Sequence, residues 1–341
     1  MPMPSRICYG CNCGLREEEE TTAIRHGIDR NVCHDCFDSN TYIGSTGLRY
    51  INMPEDASDD DDDQDKDSRV EDYGSGGENC HKVGVSVPGL QDCGFELEFL
   101  SCRGGDVGDV AEDIRDICDI AAIEHDGSLD DNGAEAVSHY GPIDRIAMDL
   151  KSVCGVLCKH RSISHNTQCC GLHVSISKNG LTTVQIARYV VFWNNPKNKE
   201  FLQKFARRWN QTFARSKEQK GKMPDCERAQ QELMYNHDRY ELVNLQNPDR
   251  LEVRAFKGTT KYETAMACLS LSVWIMAYCK TENPLVFDRF IEWCRTAKMN
   301  RNGDEFRPLD VVGYWDARNP ANANQQGSGT IQGSVTEGEP I

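Results

Sequence analysis

Three short segments of the sequence each place two chemically active side chains two positions apart. The pairs are Glu96 and Glu98, His173 and Ser175, and Glu252 and Arg254. Carboxylate oxygens are the ligands that Mg²⁺ prefers, and a guanidinium group binds phosphoryl oxygens through two parallel hydrogen bonds. Together the pairs contain the groups that are needed to hold a metal ion and phosphate in one place.

Each pair alternates with apolar residues, which is the pattern of a β-strand. In the first segment, Phe95, Leu97 and Phe99 occupy the positions around the two glutamates. Side chains along a strand alternate between faces, so the apolar residues would enter a core and the polar pair would share the opposite face. One such strand alone is more typical of a solvated sheet face. Three of them predict a single sheet with a functional polar face, provided that they join in register.

The composition limits the class of protein. The 341 residues are enough for two or three domains, and the net charge of −16 argues against a nucleic-acid partner. The chain has 17 cysteines but its first residues lack an apolar signal segment, so we expect a reducing, cytoplasmic location with cysteines as thiols or metal ligands. The uncharged run 265–279 is too short to cross a bilayer and predicts a buried helix, so we expect no membrane association.

Residues 1–50 contain two Cys-x-x-Cys pairs, which are Cys8 with Cys11 and Cys33 with Cys36. Two such pairs can surround one structural Zn²⁺ with four thiolates, and the metal would supply the folding free energy that this aliphatic-poor segment lacks. We therefore predict a small zinc-ribbon-like module. Scattered reduced thiols or a redox pair are the alternative, and Cys13 is a fifth candidate ligand.

The rest of the chain divides into three parts. Residues 51–80 are acidic and Gly-rich and predict a linker, and residues 317–341 predict a disordered tail. Between them, residues 81–316 alternate strand patterns with helical patterns at 107–121 and 143–157, which predicts an α+β domain. The basic segment 196–224 is a solvated helix or a clamp for an acidic substrate or nucleotide.

Five motifs, in this order, resemble those of the amidoligase family, which is related to glutamine synthetases and glutamate–cysteine ligases. They lie at 94–99, 126–129, 135–138, 170–175 and 251–259. The resemblance covers about residues 85–300 and rests on the ordered set. It implies a glutamine synthetase-like antiparallel sheet with helices packed on one face. Ser175 departs from the family pattern, in which a second histidine stands at this position.

The resemblance also implies roles for individual residues. Glu96, Glu98 and Glu252 would bind Mg²⁺, and Glu135 would make a further metal or substrate contact. Arg254 would bind the transferred phosphoryl group, and His173 would reach a phosphate. The catalytic set is then Arg254, His173 and Glu135, and the set that binds ATP and Mg²⁺ is Glu96, Glu98, Glu252, His173 and Arg254.

The implied activity is that of an ATP- and Mg²⁺-dependent carboxylate–amine ligase. Phosphorylation converts a carboxylate oxygen into a good leaving group, and an amine then displaces phosphate from the acyl phosphate to form an amide or isopeptide bond. The substrates would be an amine and a carboxylate of an amino acid, a peptide or a protein side chain. The sequence leaves this choice and the oligomeric state open.

The same sequence also allows two other classes of protein. A cysteine hydrolase would use Cys170 and His173, but residues three apart on a strand face opposite ways, which favours a buried thiol at Cys170. The second alternative is an inactive adaptor whose zinc module binds protein or nucleic acid. Retention of four carboxylates beside Arg254 argues against it, because a face without metals would be more stable with fewer like charges.

Overall fold

The computed structural model describes two parts of the chain. Side chains are described at residues 69–102, 105–127, 129, 132–165, 167, 169–208, 214–216 and 239–318. Earlier in the chain, the backbone of four short strands is described: β1 (Thr21–Arg25), β2 (Ile28–Val32), β3 (Thr41–Ile43) and β4 (Arg49–Ile51), in the sheet order β2-β1-β4-β3. The predicted zinc ligands Cys8, Cys11, Cys33 and Cys36 and residues 319–341 of the predicted tail lie outside the described residues.

A six-stranded antiparallel sheet forms the centre of the larger part. Its strands are β5 (Cys93–Leu100), β6 (Ala122–Glu124), β7 (Gly133–Val137), β8 (Gly171–Ser177), β9 (Val243–Asn244) and β10 (Arg250–Lys257). The order is β6-β7-β5-β8-β10-β9, and every neighbouring pair is antiparallel. The prediction of an antiparallel sheet that contains all three polar pairs is confirmed.

Eight α-helices lie in the described part of the chain. They are α1 (Ser75–Asn79), α2 (Val107–Ile117), α3 (Ile143–Lys159), α4 (Thr183–Asn194), α5 (Lys199–Ala206), α6 (Tyr262–Cys279), α7 (Phe287–Thr296) and α8 (Leu309–Arg318). A hairpin of β11 (Met299–Arg301) and β12 (Asp304–Phe306) precedes α8. Helix α8 ends at Arg318 and so includes the first two residues, 317 and 318, of the predicted tail.

The hydrophobic core lies between one face of the sheet and helices α3 and α6. Phe95, Leu97 and Phe99 are at most 2% exposed and join one core cluster with apolar residues of both helices. Nearly all of α6 is buried, as its uncharged run 265–279 predicts. In the described part of the chain, no helix combines the length and the apolar character that crossing a membrane requires.

Residues 69–80 differ from the spacer predicted for 51–80. The Glu71 amide donates to the Ile123 carbonyl, and Val70 is buried. Gly76 lies so close to Val137 that a Cβ on this glycine would be 2.7 Å from a methyl carbon of the valine. The composition of 74–77 suggests flexibility, but small residues also permit close packing. Here Gly76 packs against Val137 at the end of strand β7.

Candidate functional site

The register of the sheet places the polar residues of different strands next to one another. Glu96 on β5 lies opposite His173 on β8, and Glu98 lies opposite Glu135 on β7. Directly opposite residues of antiparallel strands project from the same face, with Cβ atoms about 4.5–5.5 Å apart. Glu252 on β10 is brought to the same face, opposite Ser175. We call this side of the sheet the polar face.

The imidazole of His173 stands at the centre of four glutamates. Its Nδ1 lies 3.3 Å from Oε2 of Glu96, 3.6 Å from Oε1 of Glu252 and 3.7 Å from Oε1 of Glu135. Its Nε2 lies 3.7 Å from Oε1 of Glu98. The four carboxylates that the sequence analysis singled out therefore surround one buried ring. The pattern of a single strand cannot predict this arrangement, because the residues come from four strands.

Three of these carboxylates have further polar partners. Glu96 accepts a hydrogen bond from Arg250 at 3.3 Å, and Glu98 accepts one from the amide of Gly171. Glu252 accepts one from the Asn244 side chain at 2.7 Å, and its other oxygen pairs with Arg254. Oε1 of Glu135 is buried and has no hydrogen-bond partner among the described residues, and the same holds for Nε2 of His173.

Arg208 is a member of the site that the sequence analysis did not identify. It follows helix α5 and is 3% exposed, and its positive charge acts on Glu98. A Cβ at position 171 would collide with Nη1 of Arg208 and lie 2.9 Å from Nε2 of His173, so any larger residue there would displace these side chains. The basic character of 196–224 was visible in the sequence, but nothing distinguished Arg208 from its neighbours.

Glu124 is the second member of the polar face that was not identified. Glu124 ends the three-residue strand β6 and lies opposite Glu135. It is buried and accepts a hydrogen bond of 2.6 Å from the amide of Gly76. A strand this short shows too little alternation to be found by periodicity.

Burial and like charges shift the titration of the cluster. Burial raises the pKa of Glu98 to about 7, against the opposing charge of Arg208. The pKa of Glu135 is raised well above its ordinary value, first by burial and then by the charges of Glu96 and Glu98. Burial, followed by the charge of Arg254, lowers the pKa of His173 to about 3, so its ring is neutral at pH 7. Without a cation, the site reduces its negative charge by holding protons.

The donor set of the polar face fits a divalent cation. One ligand atom each of Glu96, Glu135 and His173 can be chosen so that all three lie within 4.8 Å of one another. Two atoms of these residues, Oε1 of Glu135 and Nε2 of His173, are the buried atoms without hydrogen bonds named above. The carboxylates suit Mg²⁺. The family resemblance implies that His173 contacts a phosphate, whereas in the structure its imidazole lies among the carboxylates.

A second group of potential metal ligands consists of His81, Asp119 and His139. The Nδ1 atom of His139 accepts a hydrogen bond from the amide of His81, so the ring proton is on Nε2, which faces Asp119 at 3.3 Å. A metal ion at Nε2 would have to displace that proton and leave a ring without any proton. The hydrogen bonds of this group therefore account for its geometry without a metal.

Other residues of the five motifs have structural roles. The hydroxyl of Ser138 accepts from the amide of Phe95 at 2.7 Å and donates to the carbonyl of His139, which joins β5 to the end of β7. In the second motif, the Leu129 amide donates to the Asp126 carbonyl at 2.9 Å. Cys170 is buried beside Leu129 and Cys169, as expected for a structural thiol and not for a hydrolase nucleophile.

Comparison with known proteins gives little further information. No family model matches the chain, and no curated protein matches it. One similar solved structure is the complex between prokaryotic ubiquitin-like protein Pup and its ligase PafA, with a TM-score of 0.29 and 9% sequence identity. The match covers 70% of this chain and 59% of the matched chain. At this TM-score the likeness carries no argument about the present chain.

Proposed function

We propose that this protein is an ATP- and Mg²⁺-dependent carboxylate–amine ligase that forms an amide or isopeptide bond through an acyl phosphate. The observation that supports the proposal most strongly is the convergence of Glu96, Glu98, Glu135 and Glu252 on His173. Burying this many carboxylates together is unfavourable unless a cation compensates their charge. The chemistry named in the proposal requires such a cation.

The carboxylates of the polar face would hold Mg²⁺, with Glu96 nearest to the imidazole at 3.3 Å. When bound, the ion neutralises charge on the phosphates of ATP and on the group in transfer. Arg254 is held in position by its ion pair with Glu252 and is only 11% exposed, so its planar guanidinium is preorganised for phosphoryl oxygens. His173 is neutral at pH 7 and offers one N–H as a hydrogen-bond donor to phosphate without adding charge.

The proposed reaction needs no covalent nucleophile from the protein. Phosphoryl transfer to the substrate carboxylate is mainly a matter of positioning and of stabilising charge. The attacking amine must lose a proton, and Glu135 is the candidate to take it. Its Oε1 atom is buried and has no hydrogen-bond partner among the described residues, so this atom is available to accept the proton.

Incubation of the full chain with ATP, Mg²⁺ and pools of amino acids or peptides tests the proposal. We expect phosphate release that depends on both an amine and a carboxylate, together with a product whose mass equals the two substrates less one water. Hydroxylamine in place of the amine would trap an acyl phosphate as a hydroxamate. Failure to bind ATP with Mg²⁺, with no phosphate release from any pool, would contradict the ligase and favour the adaptor.

The N-terminal zinc site is a separate proposal that rests on the two Cys-x-x-Cys pairs alone. We expect the purified full chain to contain zinc, and we expect Cys8→Ser and Cys33→Ser to lose it. Elemental analysis measures this content. A chain without zinc, or a zinc content unchanged by both substitutions, would contradict the proposed module.

A further inference from the structure

Two adjacent cysteines lie at the edge of the polar face, immediately before strand β8. The sulfur atoms of Cys169 and Cys170 are 3.9 Å apart, and both residues are buried. The Cys170 amide donates to the hydroxyl of Thr167 at 2.9 Å, which fixes the backbone at this point. The proposed ligase chemistry uses neither sulfur.

The environment of the pair gives one of its sulfurs unusual reactivity. A hydrogen bond from the Cys170 thiol, aided by Thr167 and opposed by burial, lowers the pKa of Cys169 to about 6. Among the other described cysteines whose pKa shifts, namely Cys80, Cys93, Cys118, Cys154, Cys170, Cys268 and Cys294, the shift is upward. Thiolates react with oxidants and thiols do so poorly, which makes Cys169 the preferred target in this group.

We propose that Cys169 and Cys170 form a redox modification site, which peroxide converts into a vicinal disulfide that disturbs Glu98. The thiolate of Cys169 attacks one peroxide oxygen, the O–O bond breaks, and Cys169 becomes a sulfenic acid as hydroxide leaves. The Cys170 sulfur then attacks the Cys169 sulfur. The S–S bond forms, the S–O bond breaks, and the Cys170 thiol proton leaves with the departing oxygen as water. The hydroxide from the first step takes up the proton that Cys169 released on ionisation and becomes the other water. The two sulfurs are oxidised and the peroxide is reduced.

Adjacent cysteines form a bond that is easily reversed. Their Cα atoms are about 3.8 Å apart across a trans peptide, whereas disulfides usually join Cα atoms about 4.4–6.8 Å apart. The resulting strain makes such a bond more reducible than a structural disulfide, and labile disulfides of this kind are typical of regulation. Cellular dithiols would therefore restore the reduced pair.

Formation of the disulfide would alter the polar face, because the backbone connects the cysteine pair to a residue that contacts Glu98. The Gly171 amide, next in the chain after Cys170, donates to Glu98, and the Cys170 carbonyl accepts from Gly258 at 3.2 Å. The sulfurs must approach from 3.9 Å to about 2.05 Å, which turns the intervening peptide. We expect the Gly171–Glu98 hydrogen bond to be lost. The resulting fall in ATP turnover, unlike the disulfide itself, rests on the proposed function.

Peptide mass mapping of the full chain tests the modification directly. Cleavage after Arg161 and Lys178 releases peptide 162–178, whose only cysteines are Cys169 and Cys170. After peroxide treatment and blocking of free thiols, we expect this peptide to be unblocked and lighter by two hydrogen atoms, and dithiothreitol should restore it. The proposal would be overturned if both thiols of this peptide were still free and became blocked at a peroxide dose that oxidises the exposed Cys158. Formation of a sulfinic acid at Cys169 would also overturn it.

Matched variants separate this site from the remaining cysteines. Cys169→Ala and Cys170→Ala should each lose the reversible response to peroxide, and Cys158→Ser should keep it. If the reduced wild type turns over ATP, oxidation should lower turnover at least tenfold and reduction should restore it. Disulfide formation with unchanged turnover would overturn the link to Glu98. Absence of ATP turnover in the reduced protein would instead contradict the proposed ligase function. The peptide masses would still show whether the disulfide forms.

Discussion

Strand β5 has two faces that are similarly shielded from water and chemically opposite. On one face, Leu97 and Phe99 are fully buried against helices. On the other, Glu98 is 3% exposed and lies among carboxylates. Burying a large apolar side chain stabilises a protein by about 1.5–3 kcal/mol, whereas burying an uncompensated carboxylate destabilises it. One face therefore holds the fold together, and the other lowers its stability.

The contrast shows how function can be recognised in a buried polar cluster. Arginines compensate only part of the negative charge of the polar face, and the high pKa of Glu98 and Glu135 shows that protons compensate more of it. The group of His81, Asp119 and His139 differs, because its hydrogen bonds explain its arrangement. A cluster whose buried atoms lack partners is the better candidate for a bound cation.

The largest expected effect is that of Glu96→Gln on the polar face. Removing one of the proposed metal ligands should lower Mg²⁺-dependent ATP turnover by about 10³-fold, and the Mg²⁺ concentration needed for half-maximal turnover should rise. Stability should be unchanged or increased, because one charge leaves a repelling cluster. Steady-state phosphate release and thermal unfolding measure the two effects.

Asp119→Asn is the control for this substitution, since it makes the same chemical change in the second cluster. We expect it to keep wild-type turnover. If both variants turned over ATP at the wild-type rate, the assignment of the cation to the polar face would be wrong.

The second effect concerns the apolar face. Leu97→Ala should lower the free energy of unfolding by about 2–5 kcal/mol, because it removes buried methyl groups and leaves a cavity. Urea denaturation measures this loss. Provided the variant stays folded, its Mg²⁺ dependence should remain that of the wild type. A loss of stability as large in Glu96→Gln would contradict the division of roles between the faces.

The third effect is that of Arg254→Lys. An ammonium group keeps the charge but cannot form two parallel hydrogen bonds to phosphoryl oxygens, so turnover should fall by about 10²-fold with near-normal ATP binding. Equilibrium titration with a fluorescent ATP analogue and single-turnover kinetics separate binding from chemistry. A defect confined to ATP binding would show that Arg254 binds the nucleotide and does not act on the reacting phosphoryl group.

The smallest effect is a pH dependence of stability without added divalent cations. The folded protein holds the proton of Glu98 up to about pH 7, compared with an ordinary pKa of 4.5. The associated stabilisation is complete below pH 4.5 and is lost as the pH rises through 7. The Tm of the wild type should therefore fall relative to that of Glu98→Gln between pH 5 and 7.5. The lowered pKa of His173 acts in the opposite direction but is present in both proteins. Parallel Tm profiles would show that Glu98 titrates normally.

The alternation of residues determined much of this protein by itself. It identified β5, β8 and β10 as strands, assigned Glu96, Glu98, His173 and Glu252 to polar positions, and predicted α6 as a buried helix. These features follow from periods of 2 and 3.6 residues, which depend only on local backbone geometry. The family resemblance added Glu135 and the order of the motifs.

Only the tertiary structure decided which of these residues meet. The central position of His173 depends on the register between strands, which is set by packing and by hydrogen bonds between distant segments. Glu124 belongs to a very short strand, and Arg208 is the second residue after the end of helix α5, so neither lies in a segment long enough to show a periodic pattern. The strand pairing also turned Gly171 toward Glu98 and so coupled Cys169 and Cys170 to the polar face. Contacts of this kind join residues that are 73 to 154 positions apart, beyond the reach of any local pattern.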